Sequence, residues 1–148
     1  MGEVHAGSPA AAVAPVLRPA CASDLPFISS TWLRHYRRRS VAAQSVPEAV
    51  YTTEQRALIA TILERAAVVV ACDREDPTLI MGYVVSSDRA IHWLQVKAVF
   101  HGCGLARLLA AAAPGALYWT HDVDDAAALW TALGLRLTYN PYRAWSAL

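Results

Sequence analysis

The spacing of apolar positions changes several times along this chain, and each change marks an element. Val16 to Ala20 (VLRPA) reads as a short strand. Beyond it Leu25, Ile28, Trp32, Leu33 and Tyr36 recur every three or four residues, the period of an amphipathic helix, with Ser23 or Asp24 placed as its cap. A polar connection containing Pro47 leads to a second helical stripe of Leu58, Ile59, Ile62 and Leu63, with Thr52 or Thr53 as cap and Glu54 in the first turn.

The period then shortens. VVVACD and LIMGYVVSS are β-branched runs on either side of DREDPT, a hairpin signal, and Gly82 inside the second run marks a bulge or a close backbone approach. AIHWLQVKAVF predicts a further strand, and GLARLLAAAA a helix stopped by Pro114-Gly115. ALYWTHDV reads as a strand. DDAAALWTALGL reads as a helix capped by Asp122 or Asp124, with Gly134 near its end. RLTYNPYRAWSAL closes the chain as one strand, or two broken at Pro141. The order β-α-α-β-β-β-α-β-α-β predicts one mixed α/β domain over residues 15–148, behind a loose Pro- and Ala-rich tail over residues 1–14.

Composition narrows the classes. A chain of 148 residues, 55% apolar and 17% charged, is expected to fold around a real core. A formal net charge of +1 supplies no global attraction to nucleic acid or to a membrane surface, and no apolar run approaches the ~20 residues of a membrane span. Cys21, Cys72 and Cys103 form no C-x-x-C pair, and the N-terminus lacks a basic start followed by a long apolar run. The first points to a reducing cytoplasm with no metal centre and both to a soluble cytoplasmic protein; a monomer or a homodimer is expected, with nothing in the sequence choosing between them.

The candidate chemistry lies in VKAVFHGCGLARLLAAA, a strand end, a glycine turn and a helix. Such a turn presents unpaired N–H groups and the positive end of a helix dipole, which suit phosphate oxygens; Gly102 and Gly104 let the phosphate come close. The dinucleotide fingerprint would need glycine where Arg107 stands, and the triphosphate loop would need a Gly-Lys-Ser/Thr ending. HGCGLA (His101 to Ala106) instead resembles the Q/R-x-x-G-x-G/A pyrophosphate loop of the GNAT superfamily of acyl-CoA-dependent N-acyltransferases. LRPACASDLPFI resembles that family's opening strand and helix, IMGYVV its third strand, LQVKAVF its fourth, and ALWTALGL its late helix; the likeness spans Val16 to Tyr142 in order. The segment between the first two strands also resembles small GNAT-like proteins of phage genomes.

The resemblance implies a GNAT-like α/β fold, a mixed and mostly antiparallel sheet flanked by helices. It also implies acetyl-CoA or coenzyme A held between the fourth and fifth strands. His101, Gly102, Cys103, Gly104, Leu105 and Ala106 would bind the pyrophosphate, with Arg107 in reach of a phosphate. Leu94 and Val96 would line the pantetheine arm, a main-chain N–H near them would polarise the thioester, and Trp130 would contact the cofactor. Three positions depart from the family pattern: His101 replaces Arg or Gln, Val123 replaces Asn, and Trp130 replaces the Tyr that protonates the leaving thiolate.

Family members with a base glutamate carry it at about Ala90. His92, two residues on and so on the same strand face, is the candidate base, against a plain structural histidine. Tyr139 and Tyr142 are substitute acids. Cys103 is a conceivable nucleophile, though a tolerated loop position is the simpler reading. RHYRRRS (Arg34 to Ser40) could meet an acidic substrate, a CoA phosphate or nucleic acid, or be a solvated helix end; HDVDD reads as capping carboxylates rather than metal ligands. The leading function is N-acyl transfer from CoA to a small-molecule or protein amine. The alternative is a catalytically silent CoA-binding or interaction module.

Overall fold

The computed structural model describes residues 14–146, so all but the last residue of the expected N-terminal tail lies outside the described residues. In chain order the elements are β1 (Pro15–Pro19), α1 (Leu25–Arg39), α2 (Val41–Gln44), α3 (Glu48–Arg65), β2 (Ala67–Asp73), β3 (Ile80–Ser87) and β4 (Ala90–Val96). They continue with α4 (Leu105–Ala111), β5 (Tyr118–Trp119), α5 (Ala126–Ala132), β6 (Thr138–Tyr139) and α6 (Arg143–Ser146). Short 3-10 turns precede α1 at Ala22–Asp24 and follow β4 at Ala98–Phe100.

The strands form one six-stranded sheet in the order β1-β2-β3-β4-β5-β6. β1 to β4 pair antiparallel; β5 joins β4, and β6 joins β5, in parallel. The sheet is therefore mixed and mostly antiparallel, with helices on both faces. Against one face α1 and α3 bury Ile28, Trp32, Ile59 and Ile62 on Val70, Tyr83, Val85 and Trp93. Against the other, Leu105 and Leu109 of α4 and Trp130 of α5 pack on Ala71, Met81, Val84 and Ile91. The alternation of in- and out-pointing positions sorts β-branched residues onto both faces, as a sheet covered on both sides requires.

Gly82 marks a close approach, as expected. A Cβ there would lie 2.6 Å from the Gln95 carbonyl oxygen and 3.1 Å from Leu109 Cδ1. The ladder also carries two irregularities, at Ala71/Cys72 and at Val85/Ser86. The second leaves His92 as an extra residue, because Val85 faces Trp93 while Ser86 faces Ile91. The side-chain parity of β4 flips there: Ile91 belongs to the α4 face and Trp93 to the α1 face. The His92 ring stays on the Ala90 side, 2.7 Å from Ser87 Oγ, whose ladder partner is Ala90, and the bulge brings Trp93 onto that same face.

Other differences have local causes. Asp24 does not cap α1 with its side chain; the carboxylate is taken by Arg18 at 2.7 and 3.0 Å and by the Cys21 N–H at 2.8 Å. α3 starts at Glu48 rather than near Thr52, with Pro47 leading in and buried Tyr51 anchoring its first turn on the Leu33 carbonyl. α5 is preceded by Asp125 in the left-handed conformation, φ 65°, without a side-chain cap from Asp122 or Asp124. The segment after Pro141 is a helical turn, not a strand, because Asn140 accepts the Tyr142 N–H with its side chain and the Arg143 N–H with its carbonyl.

Candidate functional site

β5 follows β4 for only two residues. The parallel register pairs Ala90 with Tyr118 and Ile91 with Trp119, a last bond runs from Thr120 N–H to the Ile91 carbonyl at 3.3 Å, and the strands then part. From His92 to Val96 the β5-side edge of β4 has no strand beside it. The Lys97 N–H bonds to the Met81 carbonyl at 2.9 Å, so alternation gives Gln95 and Trp93 to the β3 ladder. It turns the N–H groups of Leu94 and Val96 toward the gap. A cleft of about 940 Å³ opens there, bounded by α1, β4, the glycine loop, the first turn of α4, and α5.

The loop at the inner end of this cleft has the conformation its glycines permit. Gly102 and Gly104 have φ of 84° and 79°, in the left-handed region where only glycine is unstrained. The N–H groups of Gly102, Gly104, Leu105, Ala106 and Arg107 have no acceptor among the described residues. Cys103 is the exception. Its N–H is bonded to the Phe100 carbonyl at 3.3 Å, and the residue does not line the cleft. The His101 ring donates from Nε2 to the Val96 carbonyl at 2.9 Å, tying the strand end to the loop. Arg107 also lines the cleft, with its guanidinium on the carbonyls of Ala132 and Leu133 at the end of α5.

His92 sits in a closed chain of hydrogen bonds. Its Nε2 is 2.7 Å from Ser87 Oγ and its Nδ1 is 3.1 Å from Thr120 Oγ1. Thr120 Oγ1 is 2.8 Å from His121 Nδ1, and His121 Nε2 lies 3.0 Å from the Gln55 amide nitrogen. An amide nitrogen only donates, so His121 carries its proton on Nδ1 and gives it to Thr120; Thr120 then donates to His92 Nδ1, and His92 Nε2–H to Ser87. Burial pushes the His92 pKa down to about 4 and that of His121 to about 3, with His92 adding to the second shift, so both rings are neutral at pH 7. Strand parity flagged His92, but nothing in the sequence flagged Thr120 or Ser87, and His121 stood out only as part of HDVDD.

The remaining predicted residues divide. Leu94, Val96, Leu105, Ala106 and Trp130 all line the cleft, and the Trp130 indole N–H is buried with no acceptor among the described residues. Val123 lines it too, whereas Tyr139 and Tyr142 do not and are exposed at the surface. Gln95, unremarked in the sequence, lines it with its Oε1 held by Trp93 Nε1 at 2.9 Å and by the Tyr83 hydroxyl at 3.3 Å. Among the described residues no group of three His, Cys, Asp or Glu side chains is placed to share a metal ion, and no helix is long and apolar enough to cross a membrane.

No family model and no curated protein sequence matches this chain. Solved structures do. A GCN5-related N-acetyltransferase from Rhodopseudomonas palustris superposes with a TM-score of 0.55 at 22% identity, over 81% of this chain and 80% of that one. The chain has the GNAT fold. AAC(6′)-Iy, solved with the bisubstrate analogue CoA-S-monomethyl-acetylneamine, has a TM-score of 0.50 at 15% identity over 86% of this chain and 94% of its own. Apo YjaB from Escherichia coli is matched over 68% of this chain at 22% identity and a TM-score of 0.49, and the chain spans 64% of that protein's length. In this GNAT fold the parted strands are β4 and β5, and the free loop donors stand at the head of α4.

Proposed function

We propose that this chain is a GNAT-superfamily N-acyltransferase that transfers an acyl group, acetyl in the simplest case, from coenzyme A to an amine by direct attack in a ternary complex. One observation carries the reading: a run of unpaired loop N–H groups and the unpaired edge of β4 open onto the same cleft. A diphosphate fits the first, because Gly102 and Gly104 keep side chains away and a Cβ at either would meet nothing within 4 Å, which leaves the approach open. An amide-bearing arm fits the second, by adding to the strand edge as a further strand would. AAC(6′)-Iy, bound to a CoA-containing analogue on the same fold, supports the assignment.

When bound, acetyl-CoA supplies the acyl group as an activated thioester. Gly102, Gly104, Leu105 and Ala106 provide main-chain donors for the diphosphate, with His101 and Cys103 shaping the loop rather than lending side chains. Leu94 and Val96 offer the strand edge, and an N–H directed into the gap polarises the carbonyl under attack. Trp130 walls the cleft and holds an indole N–H that can donate to sulfur but cannot deliver a proton. His92 is the proton acceptor. Its ring is neutral at pH 7, with Nε2–H given to Ser87, so it receives the proton at Nδ1, through the Thr120 hydroxyl.

Those closed bonds also favour the second reading, a CoA-binding module without turnover. Calorimetry with acetyl-CoA tests the common part: no heat at high micromolar ligand, with the protein folded, ends both. Thiol release over an amine panel separates them. The enzyme reading expects turnover that falls at least tenfold in His92→Ala and is unchanged in Cys103→Ala; tight binding without turnover favours the module.

A further inference from the structure

The cleft runs through the sheet. Its inner end is the glycine loop and α4, on the face of Met81 and Ile91, while its outer wall is α1, packed on the opposite face over Trp93. On the acyltransferase reading, on which this inference rests, a donor seated on the loop occupies the α4 side, so the amine enters along α1. Phe27, Thr31, Arg34 and Arg38 face the cleft at spacings of three and four residues, one stripe of α1.

The arginines of α1 are not equivalent. Arg37 turns away, donating to the carbonyls of Ala43 and Val46 and lying over the Tyr51 ring. Arg39 is engaged by the chain before α5: it donates to the Asp124 carbonyl at 2.7 Å and its own carbonyl accepts the Asp124 N–H at 3.0 Å. Arg34 and Arg38, about 6 Å apart along the axis at one turn's spacing, have guanidinium groups with no ion pair or hydrogen bond among the described residues, and only the Arg38 carbonyl is engaged, by Gln44 Nε2. Their field is felt nearby. His35 between them is held below its ordinary range, first by burial and then by Arg34, Arg38 and Arg39; burial pushes the Tyr83 hydroxyl well above its ordinary range, with Arg34 a small opposing pull. Tyr83 in turn contacts Gln95, whose carbonyl oxygen is fully engaged and whose NH₂ is left without an acceptor among the described residues. The acidic residues on the cleft, Asp124 and Asp125, stand on the α5 rim, beside Arg39.

Two unneutralised guanidinium groups and a fixed amide donor on the acceptor wall make a receptor for an oxyanion. We infer that the acceptor is an amine carrying an anionic oxyacid group, carboxylate or phosphate, which Arg34 and Arg38 hold with the Gln95 amide while the amino group reaches β4.

Matched acceptors test this with the intact protein and saturating acetyl-CoA: 4-aminobutyrate, its carboxamide, and 2-aminoethyl phosphate. The expected result is at least a tenfold higher kcat/KM for an anionic amine than for the carboxamide, carried in KM. That ratio should fall at least fivefold in Arg34→Gln and in Arg38→Gln, with thermal midpoints within the wild-type scatter. The preferred anion decides between carboxylate and phosphate. If none of the three is acylated, NMR titration of the CoA-loaded protein decides: anion binding must raise the pKa of the His35 ring, and the carboxamide must not. Equal kcat/KM for the anionic and neutral amines, or a His35 titration indifferent to the anions, overturns the inference. Failure of acetyl-CoA itself to bind would instead strike the acyltransferase reading beneath it.

Discussion

Between pH 7 and pH 5 the protein should lose about 4 kcal/mol of stability to two buried rings. His92 and His121 titrate near 6.5 in the unfolded chain, but burial holds them down to about 4 and about 3 in the folded one. A depressed folded pKa means the unfolded state binds more protons, so stability is complete above the unfolded value and falls with pH toward the folded one. At pH 5 an unfolded histidine is ~97% protonated, while His92 in the fold is ~9% protonated; linkage then gives about 2 kcal/mol for each ring relative to pH 7. Against a typical total of roughly 5–15 kcal/mol this is a large share, worth about 10 °C in Tm for a chain of this size.

Asp24 cannot be the source of that loss. Arg18 holds its carboxyl well below the usual carboxylate range, so its contribution disappears only at pH values below about 4. His35 is also depressed and works in the same direction, but it is only partly buried and makes the smaller share. Urea unfolding followed by tryptophan fluorescence at pH 7, 6, 5.5 and 5 reads the effect directly. His121→Gln, which keeps a hydrogen-bonding side chain in reach of Gln55, should remove about half of the slope. A stability change under about 1 kcal/mol across the range, or an undiminished slope in His121→Gln, would show that the pair is not buried neutral.

Other perturbations separate stability from ligand binding. Gly82→Ala drives a methyl onto the Gln95 carbonyl at 2.6 Å, so chemical denaturation should show a loss of about 1–3 kcal/mol and calorimetry weaker acetyl-CoA binding, since the β4 edge itself must shift. Gly104→Ala meets no atom within 4 Å and carries only the left-handed strain, about 1 kcal/mol in stability, yet should weaken acetyl-CoA at least tenfold in the same titration. Asp24→Asn breaks the Arg18 pair and should cost about 1–3 kcal/mol at pH 7 by urea midpoint, with the gap to wild type closing as the pH falls below about 4. Trp130→Phe deletes a buried N–H without an acceptor, so stability should hold within about 1 kcal/mol, while turnover should fall if that N–H meets the departing sulfur.

The order of elements was legible because it rests on periodicity. The stripes of α1 and α3, the hairpin around DREDPT and the glycine loop recur in the structure, with shifted ends. What periodicity cannot carry is an irregularity of one residue. α2 is a single turn capped by Ser40, too short to impose a stripe, and β5 and β6 are two residues each. The charge run of α1 looked uniform along the chain, yet helix geometry sends Arg37 to the carbonyls of Ala43 and Val46, and Arg34 and Arg38 to the cleft. Thr120 and Ser87 enter the site only through tertiary contact with His92, and no local pattern announces them.

The bulge at His92 shows how much turns on such an irregularity. Without it, Ile91, Trp93 and Gln95 would lie on one face of the sheet, since alternate residues share a face. With it, Ile91 packs toward α4 while Trp93 packs toward α1 and Gln95, two residues on, is held there by the Trp93 and Tyr83 donors. The same extra residue lies where β5 ceases to pair, so the edge that opens toward the glycine loop and the amide that faces Arg34 begin at one point in the strand. Deleting His92 would close the bulge and leave Ile91 and Trp93 as neighbours opposite Ser86 and Val85, the register they already hold, so Gln95 would stay on the α1 wall and Leu94 and Val96 in line with the loop. The faces set on either side of the bulge therefore outlast the residue that makes it. Acetyl-CoA affinity by calorimetry should survive the deletion as it survives His92→Ala, and both variants should lose turnover. Loss of acetyl-CoA binding in the deletion alone would show that the bulge itself shapes the β4 edge.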